Sequence, residues 1–151
     1  MTRRQVWRYR CDFCGRSSCS GSGISRHEKH CTKNPDRLCR VCRRLELVQK
    51  PIAELKAAFA LDLAERDGHH TGVEHLRVAA SECPVCMLAA IRQTELPTFS
   101  VPTYGPFDSD DPTGPELTQP IEVNFNFTEE LKAAWQTVNE ADPHPGYDGG
   151  Y

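Results

Sequence analysis

The chain has 151 residues, of which 38% are hydrophobic, and 11 prolines and 10 glycines interrupt the sequence, so one large hydrophobic core is not expected. No apolar run approaches the roughly 18 residues that a membrane-spanning helix requires, and the basic N-terminus lacks the apolar segment of a secretory signal. The net charge of −3 conceals an asymmetry, because residues 1–50 carry 13 Lys/Arg and 4 Asp/Glu whereas residues 51–151 carry 5 and 17.

Cysteine is abundant, and six of the eight cysteines form three pairs with the same C-x2-C spacing: Cys11/Cys14, Cys39/Cys42 and Cys83/Cys86. A disulfide framework has no reason to repeat this spacing. A metal does, because two thiolates on one tight turn occupy two corners of a tetrahedron. Since no export signal is evident, the chain is expected in a reducing compartment, cytoplasmic or nuclear, with its thiols free to bind zinc.

The first predicted module covers residues 1–38. Alternation over residues 6–10 is typical of a short strand, and residues 21–29 are expected to form a helix that starts at Ser20 or Ser22. The spacing C-x2-C-x12-H-x3-C predicts a zinc site with four ligands: Cys11, Cys14, His27 and Cys31. The last two would face the same side of a helix. A ligand set in which His30 replaces Cys31 stays open, and Cys19 is expected to be a spare thiol or a small apolar filler.

This spacing resembles the zinc finger of two cysteines and two histidines, in the variant whose last ligand is a cysteine, over residues 9–31. Tyr9 and Ile24 stand where that family has an aromatic and an aliphatic core residue. Ser18 stands where it has a large aromatic residue, so the core should be unusually small. The resemblance implies a ββα-like fold in which the metal supplies most of the folding free energy.

The same resemblance places the base-contacting positions of a DNA-reading finger at Arg26, Gly23 and Ser20. Gly23 has no side chain, and one finger contacts only about 3 base pairs, so sequence-specific recognition is not expected. A basic lobe nevertheless suits a polyanion, and salt-sensitive phosphate contacts are expected from seven residues: Arg3, Arg4, Arg8, Arg10, Arg16, Arg26 and Lys29. The alternative is a solvated basic face, or one that docks on an acidic protein.

The second predicted module covers residues 39–94. Helical periodicity predicts a helix over 51–66 with Pro51 at its first position, a shorter helix over 73–80, and a third from Pro84 to about Thr94. The two remaining pairs predict a second zinc site with four ligands: Cys39, Cys42, Cys83 and Cys86. A cysteine pair at a helix start resembles the treble-clef arrangement, in which a knuckle meets a helix N-terminus.

Two other arrangements stay open. The order of the eight ligands also resembles that of a RING finger, in which the first and third ligand pairs share one zinc and the second and fourth share the other. The segment with His69, His70 and His75 invites comparison with HNH nucleases, but the asparagine and the last histidine of that family are missing. Because both predicted sites already have four ligands, they leave no position for a reactive water, and an enzyme is not expected.

The remaining residues divide into a Pro-rich acidic linker over 95–120 and a tail over 121–151. Alternation predicts a strand over 121–127, and a short amphipathic helix is expected over 128–141. The tail is interpreted as a partner-docking segment, with four contact residues: Phe125, Phe127, Leu131 and Trp135. The alternative is that the strand and Trp135 fold back on the second module.

The sequence therefore predicts a small zinc-stabilised α+β protein. It would comprise a ββα-like finger, a four-cysteine-stapled helical module, and an extended tail with one strand and one short helix. Two Zn²⁺ ions are expected, with no membrane contact and no small-molecule substrate. Two functions fit: a regulator or accessory factor that associates with nucleic acid, or an assembly protein of a large complex or virus particle that binds other subunits through its tail.

Overall fold

A computed structural model describes residues 7–68, 70–101 and 117–141. Within these ranges the chain forms six helices and three two-stranded sheets, so the expectation of a small mixed α and β protein is confirmed at that level. None of the helices in these ranges has the length and apolar character needed to cross a membrane.

The N-terminal unit, residues 7–38, begins with a short hairpin followed by a helix. Strand β1 (Tyr9–Arg10) pairs antiparallel with β2 (Ser17–Ser18), and α1 (Gly21–Glu28) follows. The Ser20 hydroxyl accepts a hydrogen bond from the Gly23 amide at 3.1 Å, which satisfies one free N–H of the first turn. Of the two predicted helix starts, Ser20 is therefore the cap. The observed strand β1 is shorter than the strand predicted over residues 6–10, and Val6 lies outside the described residues.

The apolar core of the N-terminal unit is very small. Ile24 is 5% exposed and packs with Cys11 and Cys31, so its predicted core position is confirmed. Tyr9 remains 51% exposed, and its ring lies over Gly21. A Cβ atom at Gly21 would come within 3.2 Å of that ring, so glycine lets the hairpin approach the helix closely.

The helical unit, residues 39–94, contains four helices and one strand. In chain order these are α2 (Arg40–Arg44), α3 (Ile52–Ala64), β3 (His70–Thr71), α4 (Glu74–Ala79) and α5 (Pro84–Gln93). The three predicted helices correspond to α3, α4 and α5, whereas the five-residue helix α2 was expected only as a knuckle. The core of this unit is larger, and its largest fully buried side chains come from three helices: Leu55, Phe59, Leu76 and Met87.

Proline marks two of these helix starts in different ways. Pro84 occupies the first turn of α5, as predicted, where its missing N–H costs nothing. Pro51 precedes α3 instead of opening it, because its ψ of 144° is extended. The predicted first position of that helix is therefore wrong by one residue.

A buried carboxylate joins α3 to the start of α4. Asp62 is 4% exposed. One of its oxygens accepts from the backbone N–H of His75 at 2.8 Å and from the ring Nδ1 of His75 at 3.0 Å, and the other accepts from the backbone N–H of Leu76 at 3.0 Å. These bonds satisfy N–H groups at the first turn of α4, which would otherwise be buried without partners.

The C-terminal segment, residues 95–101 and 117–141, departs most from expectation. Strand β4 (Thr98–Val101) pairs antiparallel with β5 (Leu117–Pro120), so the ends of the predicted linker are hydrogen-bonded to each other. Strand β6 (Glu122–Val123) pairs parallel with β3, and α6 (Phe127–Ala141) follows. The middle of the predicted linker, residues 102–116, lies outside the described residues, as do residues 142–151.

The predicted strand over 121–127 is wrong for its second half. Hydrogen bonding to β3 ends after the Asn124 amide donates to the Thr71 carbonyl at 2.9 Å. The Asn126 side-chain oxygen then accepts from the Glu129 amide at 3.4 Å, as a helix-capping side chain does. Asn126 therefore helps to convert an alternating segment into the start of α6.

Helix α6 packs back onto the helical unit. Phe125, Leu131 and Ala134 lie against its core, and Arg77 of α4 makes a two-point ion pair with Glu130. Of the two arrangements left open by the sequence, residues 121–141 therefore adopt the folded-back one. The prediction of an extended tail is wrong for these residues, because their apolar face packs against the helical unit.

Polar contacts also join the two units. The Gln93 side-chain amide at the end of α5 donates to the Thr32 carbonyl at 2.7 Å. The Gln49 side chain donates to the Arg37 carbonyl at 2.7 Å and accepts from the Cys39 amide at 2.6 Å. Residues 32–38, which lead from the N-terminal unit to the helical unit, are therefore hydrogen-bonded to the helical unit near both of their ends.

Candidate metal centres

The first candidate centre lies between the hairpin and α1 of the N-terminal unit. The structure brings together four side chains whose ligand atoms all lie within 4.8 Å of one another: Cys11, Cys14, His27 and Cys31. The Cys14 Sγ and His27 Nε2 atoms are 3.1 Å apart. This is the ligand set that the sequence spacing favours, and a donor set of three sulfurs and one imidazole suits zinc.

Local backbone geometry presents the first two sulfurs. The Gly15 amide donates to the Cys11 carbonyl at 2.9 Å, and the Cys11 amide donates to the Arg16 carbonyl at 2.8 Å. Gly15 has a φ of +72°, a conformation that glycine adopts at little cost. The tight turn after Cys14 therefore depends on glycine at that position.

The other two candidates of the N-terminal unit lie outside this group. His30 Nδ1 is 2.8 Å from the Leu38 carbonyl oxygen, so that ring is used to fix the connection to the helical unit. Cys19 is exposed and does not belong to either group of ligand atoms.

Protonation differs among the cysteines of this centre. A backbone hydrogen bond from Arg16, helped by His27, lowers the pKa of Cys14 to about 6. Burial raises the pKa of Cys31 above its ordinary value. At neutral pH Cys14 therefore offers a thiolate, whereas Cys31 has to release its proton when a metal binds. Metal affinity at this centre should consequently rise with pH.

The second candidate centre is buried in the helical unit. It contains the four predicted cysteines, again with all ligand atoms within 4.8 Å of one another: Cys39, Cys42, Cys83 and Cys86. The Sγ atoms of Cys39 and Cys83 are 3.5 Å apart, and those of Cys42 and Cys86 are 3.4 Å apart. Around a tetrahedral zinc with about 2.3 Å bonds, neighbouring sulfurs would be about 3.8 Å apart. The four sulfurs thus enclose a space of the right size for zinc.

Two helix starts supply these sulfurs. Cys39 precedes α2 and Cys83 precedes α5, while Cys42 and Cys86 lie within the first turn of each helix. The Cys42 amide points at the Cys39 sulfur, 3.5 Å away. Hydrogen bonds from Cys42 and Cys83 lower the pKa of Cys39, and the same shared contacts raise the pKa of Cys42. The pKa of Cys86 is lowered as well, whereas hydrogen bonding to Cys39 raises the pKa of Cys83, so metal binding would have to displace protons held more tightly by Cys42 and Cys83.

A buried arginine, which the sequence pattern does not mark, lies against the second centre. Arg37 is 3% exposed, and its Nη1 atom has no hydrogen-bond partner in the described part of the chain. Burial by itself lowers the pKa of this guanidinium, but attraction and hydrogen bonding to Cys86 and Cys39 leave it raised above its ordinary value. Zinc with four thiolates would carry a net charge of about −2, and Arg37 is placed to offset part of it.

The ligands group in sequence order. Cys11 and Cys14 lie with His27 and Cys31, and the two later cysteine pairs form their own group. The cross-braced arrangement of a RING finger is therefore not the one adopted. Of the three histidines between residues 69 and 75, His70 and His75 belong to neither group and lie near Glu122 and Asp62 respectively. His69 lies outside the described residues.

The predicted phosphate-contacting residues are distributed over the N-terminal unit. Five of them are exposed: Arg8, Arg10, Arg16, Arg26 and Lys29. Arg3 and Arg4 lie outside the described residues. Three further exposed arginines were missed, namely Arg40, Arg43 and Arg44 of α2. Their signal is visible in the sequence RLCRVCRR, where arginines alternate with the cysteines of the second centre.

The predicted partner-contacting residues divide into two kinds. Phe125 and Leu131 are half-buried against the core of the helical unit, and the Phe127 ring is 6.4 Å from the Phe125 ring. Trp135 is 38% exposed and lies beside the N-terminal unit, near Arg26 and His30. Of these four predicted residues, Trp135 is the one whose large apolar side chain is exposed.

Comparison of this chain with protein-family models, with curated proteins and with solved structures finds no match. What the residues and their geometry support is two groups that could hold metal ions, with donors that suit zinc.

Proposed function

We propose that the chain is a non-enzymatic zinc-binding protein that associates with nucleic acid through its basic N-terminal part, as a regulator or accessory factor. The observation that carries the proposal is a set of exposed basic side chains beside the first centre. In the described ranges, the ion pairs between basic and acidic side chains involve Lys50, His70, His75 and Arg77, and none of the predicted phosphate-contacting residues. Their positive charge is available to a polyanion.

The form of the first centre supports a structural role for its metal. A hairpin supplies two cysteines, and a helix and the turn after it supply His27 and Cys31, as in the cysteine-ending variant of the two-cysteine, two-histidine finger. All four positions of each centre are filled by side chains, and closed centres of this kind stabilise a fold instead of activating water. The metal would thus hold the basic surface in place.

Weak sequence preference is also part of the proposal. In the finger family, the base-contacting positions correspond to Arg26, Gly23 and Ser20. The Ser20 hydroxyl is occupied by the cap of α1 and by the Ser22 hydroxyl at 3.1 Å, and Gly23 has no side chain. Only Arg26 is left to contact a base, so binding should rest mainly on phosphate contacts.

Salt dependence tests this function. With the zinc-loaded full chain and a labelled nucleic acid, affinity should fall steeply between low and physiological salt. The triple variant Arg8→Glu, Arg10→Glu, Arg26→Glu should bind more weakly and reduce the slope of log affinity against log salt by roughly 2 to 3. A charge-matched control is Lys56→Glu, Arg66→Glu, Lys132→Glu, all at exposed positions outside the N-terminal unit. Absence of measurable binding at low salt would refute the proposal.

A further inference from the structure

We propose that the groove between α1, α2 and α6 binds a single strand of nucleic acid, with its phosphates on four arginines and an unpaired base on Trp135. The arginines are Arg26, Arg40, Arg43 and Arg44. This inference rests on the proposed function and names the site and the form of nucleic acid that the site accepts.

The groove lies where the N-terminal unit meets the helical unit. It has a volume of about 1000 Å³, and its walls come from α1, from α2 and from the Trp135 side chain of α6. A second hollow of about 500 Å³ continues from it and shares five lining residues, including Arg26, Arg40 and Trp135. Arg16 lines this second hollow but not the first. The two together make a continuous path past five arginines.

Charge makes this path selective for a polyanion. Among the described residues, no aspartate or glutamate lines either hollow. The ion pairs formed among the described residues leave out all five of these arginines. A row of guanidinium groups without neighbouring carboxylates suits a chain of phosphates.

The second metal centre explains why α2 presents its arginines outward. Val41 and Cys42 are buried, and at 100° per residue they lie on the opposite side of the helix from Arg40, Arg43 and Arg44, which are exposed. Cysteine coordination would therefore fix the orientation of this basic face. The same short segment serves the metal with one side and the groove with the other.

Trp135 points to a single strand in preference to a duplex. Its indole is 38% exposed, and with the exposed Leu38 side chain it gives the groove an apolar surface among the arginines. Bases of a single strand can stack on such a ring, whereas those of a duplex are already stacked on one another. Guanidinium groups that follow a backbone together with an aromatic platform are the combination that single-strand binding uses.

The experiment uses the zinc-loaded full chain and three labelled probes: oligo-dT, oligo-U of the same length, and a DNA duplex. Arg40→Glu, Arg43→Glu, Arg44→Glu should weaken binding of the single strands at least tenfold. The control Lys56→Glu, Arg66→Glu, Lys132→Glu should change it much less. Because Arg40 follows a cysteine of the second centre, the double variant Arg43→Glu, Arg44→Glu is measured as well, and native mass spectrometry checks that every variant keeps its zinc.

Trp135 provides a direct signal, since the chain has only two tryptophans. In a Trp7→Phe background, single strands should quench the fluorescence of Trp135, and Trp135→Ala should lower their affinity on the order of tenfold while leaving duplex binding nearly unchanged. The ratio of oligo-dT to oligo-U affinity then separates DNA from RNA as the source of the strand.

The measurements distinguish failure of the groove from failure of the proposed function. If single strands bind but the α2 variants and Trp135→Ala bind them as tightly as the parent chain, the groove is refuted and the proposed function stands. Tighter binding of the duplex, with no change in Trp135 fluorescence, also refutes the groove. If none of the three probes binds at low salt, the proposed function fails, and the groove fails with it.

Discussion

A single buried charge, that of Arg37, distinguishes the second metal centre from a simple cluster of thiols. A buried guanidinium without a counter-ion is costly, and a chain normally avoids it. Here the guanidinium meets sulfurs of Cys39 and Cys86, and its Nη1 atom still has no partner in the described ranges. A negatively charged metal–thiolate cluster would satisfy it, so the arginine and the cysteines are understood best as one unit.

Replacing Arg37 with methionine should lower the zinc affinity of the second centre about 10- to 100-fold, which is the range that partners of metal ligands commonly contribute. The change keeps an apolar side chain of similar length in the buried position and removes only the charge and the donors. Competition against a chelator of known affinity measures the effect. Arg43→Met is the matched control, because Arg43 is an exposed arginine near the same centre. Equal zinc affinity of the two variants would contradict this role for Arg37.

At the level of elements, periodicity and spacing predicted what is local. The helices α3, α4 and α5 were predicted to within two residues of their ends, because apolar positions and prolines in the sequence mark them. The ligand groups were predicted because i, i+3 and i, i+4 spacings follow from turn and helix geometry. Neither β6 pairing with β3 nor α6 packing on the helical unit leaves such a signal, since each depends on contacts between distant parts of the chain.

The site residues that the sequence did not predict also lack a local signal of where the fold places them. Arg37 precedes the second module by two residues and resembles any surface arginine in sequence; only the fold buries it. The arginines of α2 were overlooked because the segment was expected as a knuckle without a helical face. Phe125 and Leu131 were predicted as contacts to a partner because their alternation and helical spacing show that one face is apolar, but spacing does not show what covers that face.

Docking of α6 depends partly on the two-point pair between Arg77 and Glu130. The Arg77 guanidinium lowers the pKa of the Glu130 carboxyl, so the pair stabilises the fold above the ordinary carboxyl pKa of about 4.3 and is lost as pH falls through the lowered value. A double-mutant cycle with Arg77→Met and Glu130→Gln should give a coupling of about 0.5–1 kcal/mol near pH 7, because both side chains are partly exposed.

The cycle is measured by urea unfolding of the zinc-loaded proteins from pH 7 to pH 4, with two salt concentrations at pH 7. The comparison of four proteins at each pH cancels the loss of stability that all of them share when thiolates are protonated. The coupling should be constant down to about pH 5, decrease below the ordinary carboxyl pKa, and shrink at high salt. A coupling that grew as pH fell would contradict the assignment.

For the molecule as a whole, metal and apolar core contribute differently to the two units. The buried apolar cluster of the N-terminal unit consists of Ile24 and two of the proposed ligands, Cys11 and Cys31, so without metal it has almost no core. The helical unit has its own core around Phe59 and Leu76 in addition to its four cysteines. The first unit should therefore be unfolded without its metal, whereas the second should be weakened and retain part of its helical structure.

Single-ligand variants separate these contributions. The parent chain should bind two zinc ions, and Cys11→Ser and Cys83→Ser should each retain one, because the ligand groups are separate. Native mass spectrometry counts the ions, and amide hydrogen exchange locates the loss of structure.

In Cys11→Ser, exchange should accelerate over residues 7–31 and stay slow in α3 and α5. In Cys83→Ser, it should accelerate through the helical unit and also near Thr32, since Gln93 of α5 holds that residue. Cys19→Ser, at an exposed cysteine outside both groups, should keep two ions and the parent exchange pattern. If one ligand change released both ions, the two centres would be coupled, and the prediction that each binds its ion independently would be wrong.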